Sequence, residues 1–162
     1  MKRIAIAGPS GVGKSTVGSL IAARSSLRFV DLDAEVERVA RASIPAIFAR
    51  GGEAEFRRWE SAALTAVAAL TDVVLALGGG TVGEGLPRLM AWSRVVLMAN
   101  AEVLVGRLSR DAVARPMLRG DRALGVRRLL VQREPGWRGF GVWVHTDGVS
   151  PERVAARVEA MW

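Results

Sequence analysis

Short, continuous apolar runs alternate along this chain with longer stretches whose apolar residues recur at helical spacing. The runs Arg3–Ala7, Phe29–Asp31, Val73–Leu77, Arg94–Met98 and Val142–His145 predict strands. Helices are predicted over Lys14–Ala23, Asp33–Ala40, Glu53–Leu70, Ala101–Leu108, Gly120–Glu134 and Pro151–Ala160. Strands that are apolar at nearly every position belong to a parallel sheet covered on both faces, whereas a sheet with one wet face would alternate. The grammar is therefore βαβ, an α/β fold with helices on both sides of a parallel sheet. Two stretches do not read as scaffold: 44–58, compact and arginine-rich, and 109–121, polar, charged and broken by Pro116. Both are expected to bind substrate or to act as a lid. Ligands of open parallel sheets gather at the carboxyl ends of the strands, so residues just after Ala7, Val30, Leu77 and Met98 are expected to line one crevice.

A length of 162 residues, half of them hydrophobic, suffices for one core and not for two ordinary domains, so residues 1–162 read as one domain. With no cysteine there is neither a disulfide framework nor a thiolate metal site, which suits a cytoplasmic protein and leaves oxygen ligands for any metal. Met1-Lys2-Arg3 before apolar residues superficially resembles a secretory leader, but Gly8-Pro9 breaks the run at once, and it reads as a first strand. The apolar stretch 70–77 is interrupted by Thr71-Asp72 and falls short of a membrane span, so no membrane partner is expected. A formal charge of +7 invites a nucleic-acid reading. The arginines are scattered without an aromatic stacking stripe, however, and an enzyme handling a nucleotide and a second anion needs a positive cleft too. No nucleic-acid partner is expected.

The chemistry begins directly after the first apolar run, at Gly8-Pro9-Ser10-Gly11-Val12-Gly13-Lys14-Ser15-Thr16. A glycine-rich turn between a strand and a helix lets backbone N–H groups of Gly11, Val12 and Gly13 face phosphate oxygens. Lys14 then reaches the outer phosphates, and Ser15, next to Thr16, can ligate Mg²⁺. Lys2 and Lys14 are the only lysines in a chain that otherwise writes its cations as arginine, so Lys14 is not compositional background. The plain structural alternative is a glycine-rich turn capped by Ser15.

Further along, Asp31-Leu32-Asp33 places two carboxylates two residues apart, on one side of an extended chain and facing the phosphate loop. One suits the Mg²⁺ shell and the other a hydroxyl; alternatively, Asp33 caps the helix that follows. Gly78-Gly79-Gly80 after a strand offers either bare N–H groups to a substrate or a turn needing unusual dihedrals. Helical spacing puts Glu60 beside Arg57, with Phe56 as an apolar wall, either to grip a carboxylate or as a surface ion pair of little worth. Arg115, before Pro116, is either an ordinary loop cation or a functional one, and Arg133, at the end of a helix stopped by Pro135, either complements the helix dipole or serves the site. The single histidine, His145, lies in a strand and excludes histidine triads and histidine metal clusters.

Taken in order and spacing, Gly-Pro-Ser-Gly-Val-Gly-Lys-Ser-Thr, Phe-Val-Asp-Leu-Asp, the segment 44–60, Leu-Gly-Gly-Gly, Arg-Pro-Met-Leu and Arg-Glu-Pro closely resemble the shikimate kinase family almost end to end. The resemblance implies a P-loop, nucleoside-monophosphate-kinase-like fold in three layers with a five-stranded parallel sheet. It also implies ATP- and Mg²⁺-dependent transfer to the 3-hydroxyl of shikimate, a monomer, and a mobile lid at about 109–121 beside a substrate segment at about 33–60. By the same resemblance Lys14 and Ser15 are phosphate and magnesium residues, and Asp31 is a carboxylate near the metal. Asp33, Arg57, Gly79, Gly80 and Arg133 meet shikimate, and Arg115 reaches the ATP phosphates. It leaves Arg107 and Arg110 as alternatives for an arginine beside adenine. Pro135-Gly136-Trp137 departs from the family's usual Pro-Leu-Tyr behind the substrate carboxylate.

Overall fold

Alternate residues of the central strands leave one sheet in opposite directions, and that alternation builds both cores. The computed structural model describes residues 1–81, 86–110 and 122–162. Its strands are β1 (Arg3–Ala7), β2 (Arg28–Asp31), β3 (Val73–Ala76), β4 (Ser93–Met98) and β5 (Val142–His145), all parallel in the order β2-β3-β1-β4-β5. The helices are α1 (Lys14–Ser25), α2 (Leu32–Ala40), α3 (Ile44–Ala68), α4 (Ala101–Arg110), α5 (Arg122–Arg138) and α6 (Pro151–Glu159), with a 3₁₀ turn at Leu86–Leu89. Ala5, Ala7, Leu75 and Val96 pack against Val36, Ile47, Leu64 and Trp137 of α2, α3 and α5. Ile4, Ile6, Val95 and Leu97 pack on the other face against Val17, Ile21, Leu104 and Val154 of α1, α4 and α6. Burying each of those isoleucines contributes about 1.5–3 kcal/mol. Three layers result, as the continuous apolar strands predict.

Three local expectations need correction. Residues 44–58, which did not read as scaffold, form the first part of α3, which begins at Ile44 rather than Glu53: the Ser43 hydroxyl accepts from Ala46 N–H, and Pro45 lies in the first turn. Gly52, at φ 64° and ψ −154°, a conformation almost confined to glycine, bends that helix, and the paired glycines hide its continuity in the sequence. Pro135 does not stop α5, which runs on to Arg138. Trp137 and Phe140, each 1% exposed, hold its end against the sheet, while the carbonyl that Pro135 leaves without a donor belongs to Val131, on an open face. Finally, α2 begins at Leu32 rather than Asp33, so Asp33 sits in a helical first turn and not in extended chain.

Candidate active site

At the carboxyl ends of β1, β2 and β3 lies an open cleft of about 600 Å³. It is lined by Ser10, Gly11, Gly13, Lys14, Ser15 and Thr16 of the glycine-rich loop and by Asp31, Asp33, Leu77 and Gly79; Glu37 and Ile44 form its outer wall. The region after Met98 contributes through α4 instead, by Arg107 and Arg110.

The loop is built for close approach. Gly8 (φ 138°) has no room for a Cβ, which would collide with the Leu97 carbonyl oxygen. Gly13 is the N-cap of α1 and offers no side chain, so the first N–H groups of that helix are left to a ligand, which favours an anion. Ser15 does not cap the helix. It lies inside α1 and donates from Oγ to Asp31 Oδ2 at 2.6 Å. Lys14 Nζ donates to the carbonyls of Gly8 and Pro9 at 2.9 and 3.0 Å, which folds it over the loop. Val12 is buried behind the loop.

The alternative that Asp33 caps the helix is corrected by the structure. Asp31, not Asp33, caps α2: its Oδ1 accepts from the N–H groups of Asp33 and Ala34 at 3.0 and 3.4 Å, leaving Oδ2 for Ser15. Asp33 is released from capping, and its Oδ1 comes within 2.9 Å of where a Cβ on Gly78 would stand. A hydroxyl and a carboxylate side by side form a hard, all-oxygen donor pair that fits Mg²⁺, which takes one or two protein oxygens and completes its shell with phosphates and water. Among the described residues no group of three or more acidic, histidine or cysteine side chains could cage a metal alone.

The triple glycine is the floor on which two arginines meet. None of Gly78, Gly79 and Gly80 has a positive φ, so unusual dihedrals are not the reason for them. Space is the reason. A Cβ on Gly80 would stand 2.7 Å from Arg57 Nη2 and 3.1 Å from Arg133 Nη2, and one on Gly79 would stand 3.2 Å from Arg133 Nη1. Arg57 is held by Glu60 Oε2 at 2.7 Å and Glu53 Oε1 at 3.1 Å, with its guanidinium 5.5 Å from the Phe56 ring centre. Glu60 is only 6% exposed, and its Oε1 accepts from the Thr81 hydroxyl at 2.7 Å. Burial opposes the Arg57 charge, but the Glu60 and Glu53 carboxylates outweigh it and raise the pKa. Arg133 is different: burial and the neighbouring Arg57 charge lower its pKa, offset in part by Glu53 and Glu60. Two half-buried guanidiniums that repel each other beside one floor form a site for a carboxylate, which can take a forked pair of N–H donors.

The structure thus brings Gly11, Gly13, Lys14, Ser15, Thr16, Asp31, Asp33 and Gly79 around one cleft, with Gly80, Arg57 and Arg133 meeting beside Gly79 and Val12 buried under the loop rather than lining it. Arg115 and residues 111–121 of the expected lid lie outside the described residues. Sequence reasoning passed over Thr81, whose place directly after the triple glycine was the available signal. His145 ends β5 with its side chain 68% exposed, away from the cleft lining. Trp137, one helical turn beyond Arg133, is fully buried in the departure from the family pattern and anchors that end of α5.

Comparison with known proteins places the chain in a family. A family model described as shikimate kinase matches residues 10–161. The chain is 41% identical over 165 residues to the shikimate kinase of Pseudomonas savastanoi pv. phaseolicola, covering 99% of this chain and 95% of that one. Its structure is similar to that of shikimate kinase from Acinetobacter baumannii in complex with shikimate, with a TM-score of 0.93 at 31% identity over 99% and 92% of the two chains. A gluconokinase from Sinorhizobium meliloti, at TM-score 0.66 and 18% identity over 99% and 92%, shares the fold alone.

Proposed function

The chain belongs to the shikimate kinase family, and on that premise we propose how its residues divide the work. The reaction transfers the γ-phosphate of ATP to the 3-hydroxyl of shikimate, giving shikimate 3-phosphate and ADP, in aromatic amino-acid biosynthesis. The observation that carries the assignment is the meeting of Arg57 and Arg133 over Gly80, which supplies an acidic acceptor with a forked carboxylate grip. That grip fixes the ring, and Asp33, beside Gly78, orients the 3-hydroxyl and accepts its proton as the oxygen bonds to the γ-phosphorus. The bond from phosphorus to the β–γ bridging oxygen breaks, and ADP leaves with that oxygen.

Backbone N–H groups of Gly11, Val12 and Gly13 hold the phosphates, with Lys14 neutralising charge on the group in transfer. Ser15, with Thr16 next in α1, and Asp31 would hold Mg²⁺, Asp31 through water. When bound, the ion supplies charge neutralisation to the phosphate oxygens. Arg115, outside the described residues, keeps the ATP-phosphate role that the resemblance implies, as does the lid at about 109–121. The single domain, with its substrate segment at about 33–60, is supported by one sheet serving both cores. Among the described residues no helix is long and apolar enough to cross a membrane. A cytoplasmic monomer without a nucleic-acid partner remains the reading that the absence of cysteine and the resemblance suggest.

The test is ADP release by the purified protein with MgATP and, separately, shikimate, gluconate, AMP or no acceptor. Turnover is expected with shikimate alone. Turnover with another acceptor would keep the loop assignment and overturn that of the arginine pair.

A further inference from the structure

Thr81 directly follows the triple glycine, and its buried hydroxyl stands among the groups of the site. Around the point where a Cβ on Gly78 would be, Thr81 Oγ1 and Asp33 Oδ1 each lie 2.9 Å away and Glu60 Oε1 lies 3.3 Å away. The hydroxyl has one proton and two acceptors within reach, Glu60 Oε1 at 2.7 Å and the Gly78 carbonyl at 3.1 Å. The shorter contact, to a charged oxygen, takes the proton.

Glu60 therefore has both oxygens engaged, Oε1 by Thr81 and Oε2 by Arg57 Nη1 at 2.7 Å. The last torsion of a glutamate is broad, so one partner does not fix the plane of its carboxylate. A second partner does, and Thr81 supplies it from a rigid base. Branched at Cβ, Thr81 is stiff at χ1, and its own N–H donates to the Gly78 carbonyl at 3.3 Å. Arg57 depends on that plane. Its other carboxylate, Glu53 at 3.1 Å, is exposed, where an ion pair holds a side chain only weakly.

We propose that Thr81 is a positioning residue for the acceptor: by fixing the plane of the buried Glu60 carboxylate it aims the Arg57 guanidinium at the carboxylate of shikimate. It acts through Glu60 and Arg57, on acceptor binding and not on the nucleotide. The inference rests on the reading of Arg57 and Arg133 as the carboxylate grip.

The test measures kcat/KM on the unmodified protein, Thr81→Val and Thr81→Ser, with shikimate and with its analogue bearing CH₂OH in place of the carboxylate. Thr81→Val keeps the shape and removes the proton, so kcat/KM for shikimate should fall about tenfold, mostly through KM, while that for the analogue and the KM for ATP stay within about twofold. Thr81→Ser, which restores the hydroxyl, should recover most of the loss. An unchanged shikimate KM in Thr81→Val would overturn the proposal. So would an equal fall for shikimate and the analogue, the mark of a merely structural role, or a Thr81→Ser enzyme no better than Thr81→Val. Equal kcat/KM for the two acceptors on the unmodified protein would instead overturn the grip reading, and this inference with it. If Thr81→Val does not fold, Thr81→Ala carries the same comparison.

Discussion

Replacing Gly80 by alanine tests the arginine pair without removing either arginine. The new Cβ would lie 2.7 Å from Arg57 Nη2 and 3.1 Å from Arg133 Nη2, whereas ordinary contact begins at 3.4 Å, so the two groups must withdraw by about 0.7 and 0.3 Å (3.4 − 2.7 and 3.4 − 3.1). A shift of about 0.7 Å stretches a hydrogen bond of about 2.9 Å beyond the useful range. Losing one charge-assisted bond to the shikimate carboxylate costs about 1.5–3 kcal/mol, roughly a 10- to 100-fold rise in KM. The backbone should not object, because Gly80 has no positive φ, and such a substitution stiffens the unfolded chain by about 0.4–1 kcal/mol. Steady-state kinetics and a melting curve read both effects. The expected signature is a raised KM for shikimate, a KM for ATP within about twofold of the original, and an equal or slightly higher Tm. An unchanged shikimate KM would refute the shared floor, and a fall in Tm would show that Gly80 serves the backbone instead.

Asp33→Asn should leave ADP affinity nearly intact in calorimetry while cutting kcat by about a hundredfold or more, the usual scale for a general base; undiminished turnover would remove Asp33 from proton transfer. Arg57→Lys keeps the charge but not the fork, so KM for shikimate should rise with kcat less affected, and equal kinetics would exclude a substrate contact. Ser15→Ala removes one of the two oxygens of the proposed cation site, so the Mg²⁺ concentration giving half-maximal rate should rise by about tenfold, while an unaltered requirement would move the cation elsewhere.

Much of the site was legible because its chemistry is packed into short segments. The phosphate loop, Asp31 and Asp33, Arg57 with Glu60, and the triple glycine each lie within a few residues, and the sheet brings those segments together. The roles of individual atoms were less legible. Which aspartate caps α2 depends on where the helix begins, and a shift of that start by one or two residues moved the cap from Asp33 to Asp31. Arg133 looked like a dipole complement because Pro135 seemed to end its helix, yet buried Trp137 and Phe140 carry α5 onward and hold Arg133 over Gly80. The hold of Thr81 on Glu60 joins positions 21 residues apart, a separation at which local patterns carry no information.

The bend at Gly52 divides α3 into two arms with separate duties. Ile44, on the first arm, forms part of the outer wall of the cleft, while Arg57 and Glu60, on the second, form the anion grip. Because a single glycine joins them at an angle no other residue readily holds, substitutions on the first arm can reshape the opening and leave the grip in register. The enclosure is in this sense modular: natural or laboratory selection could retune which ring enters while the demand for a carboxylate stays constant, so long as position 52 remains glycine.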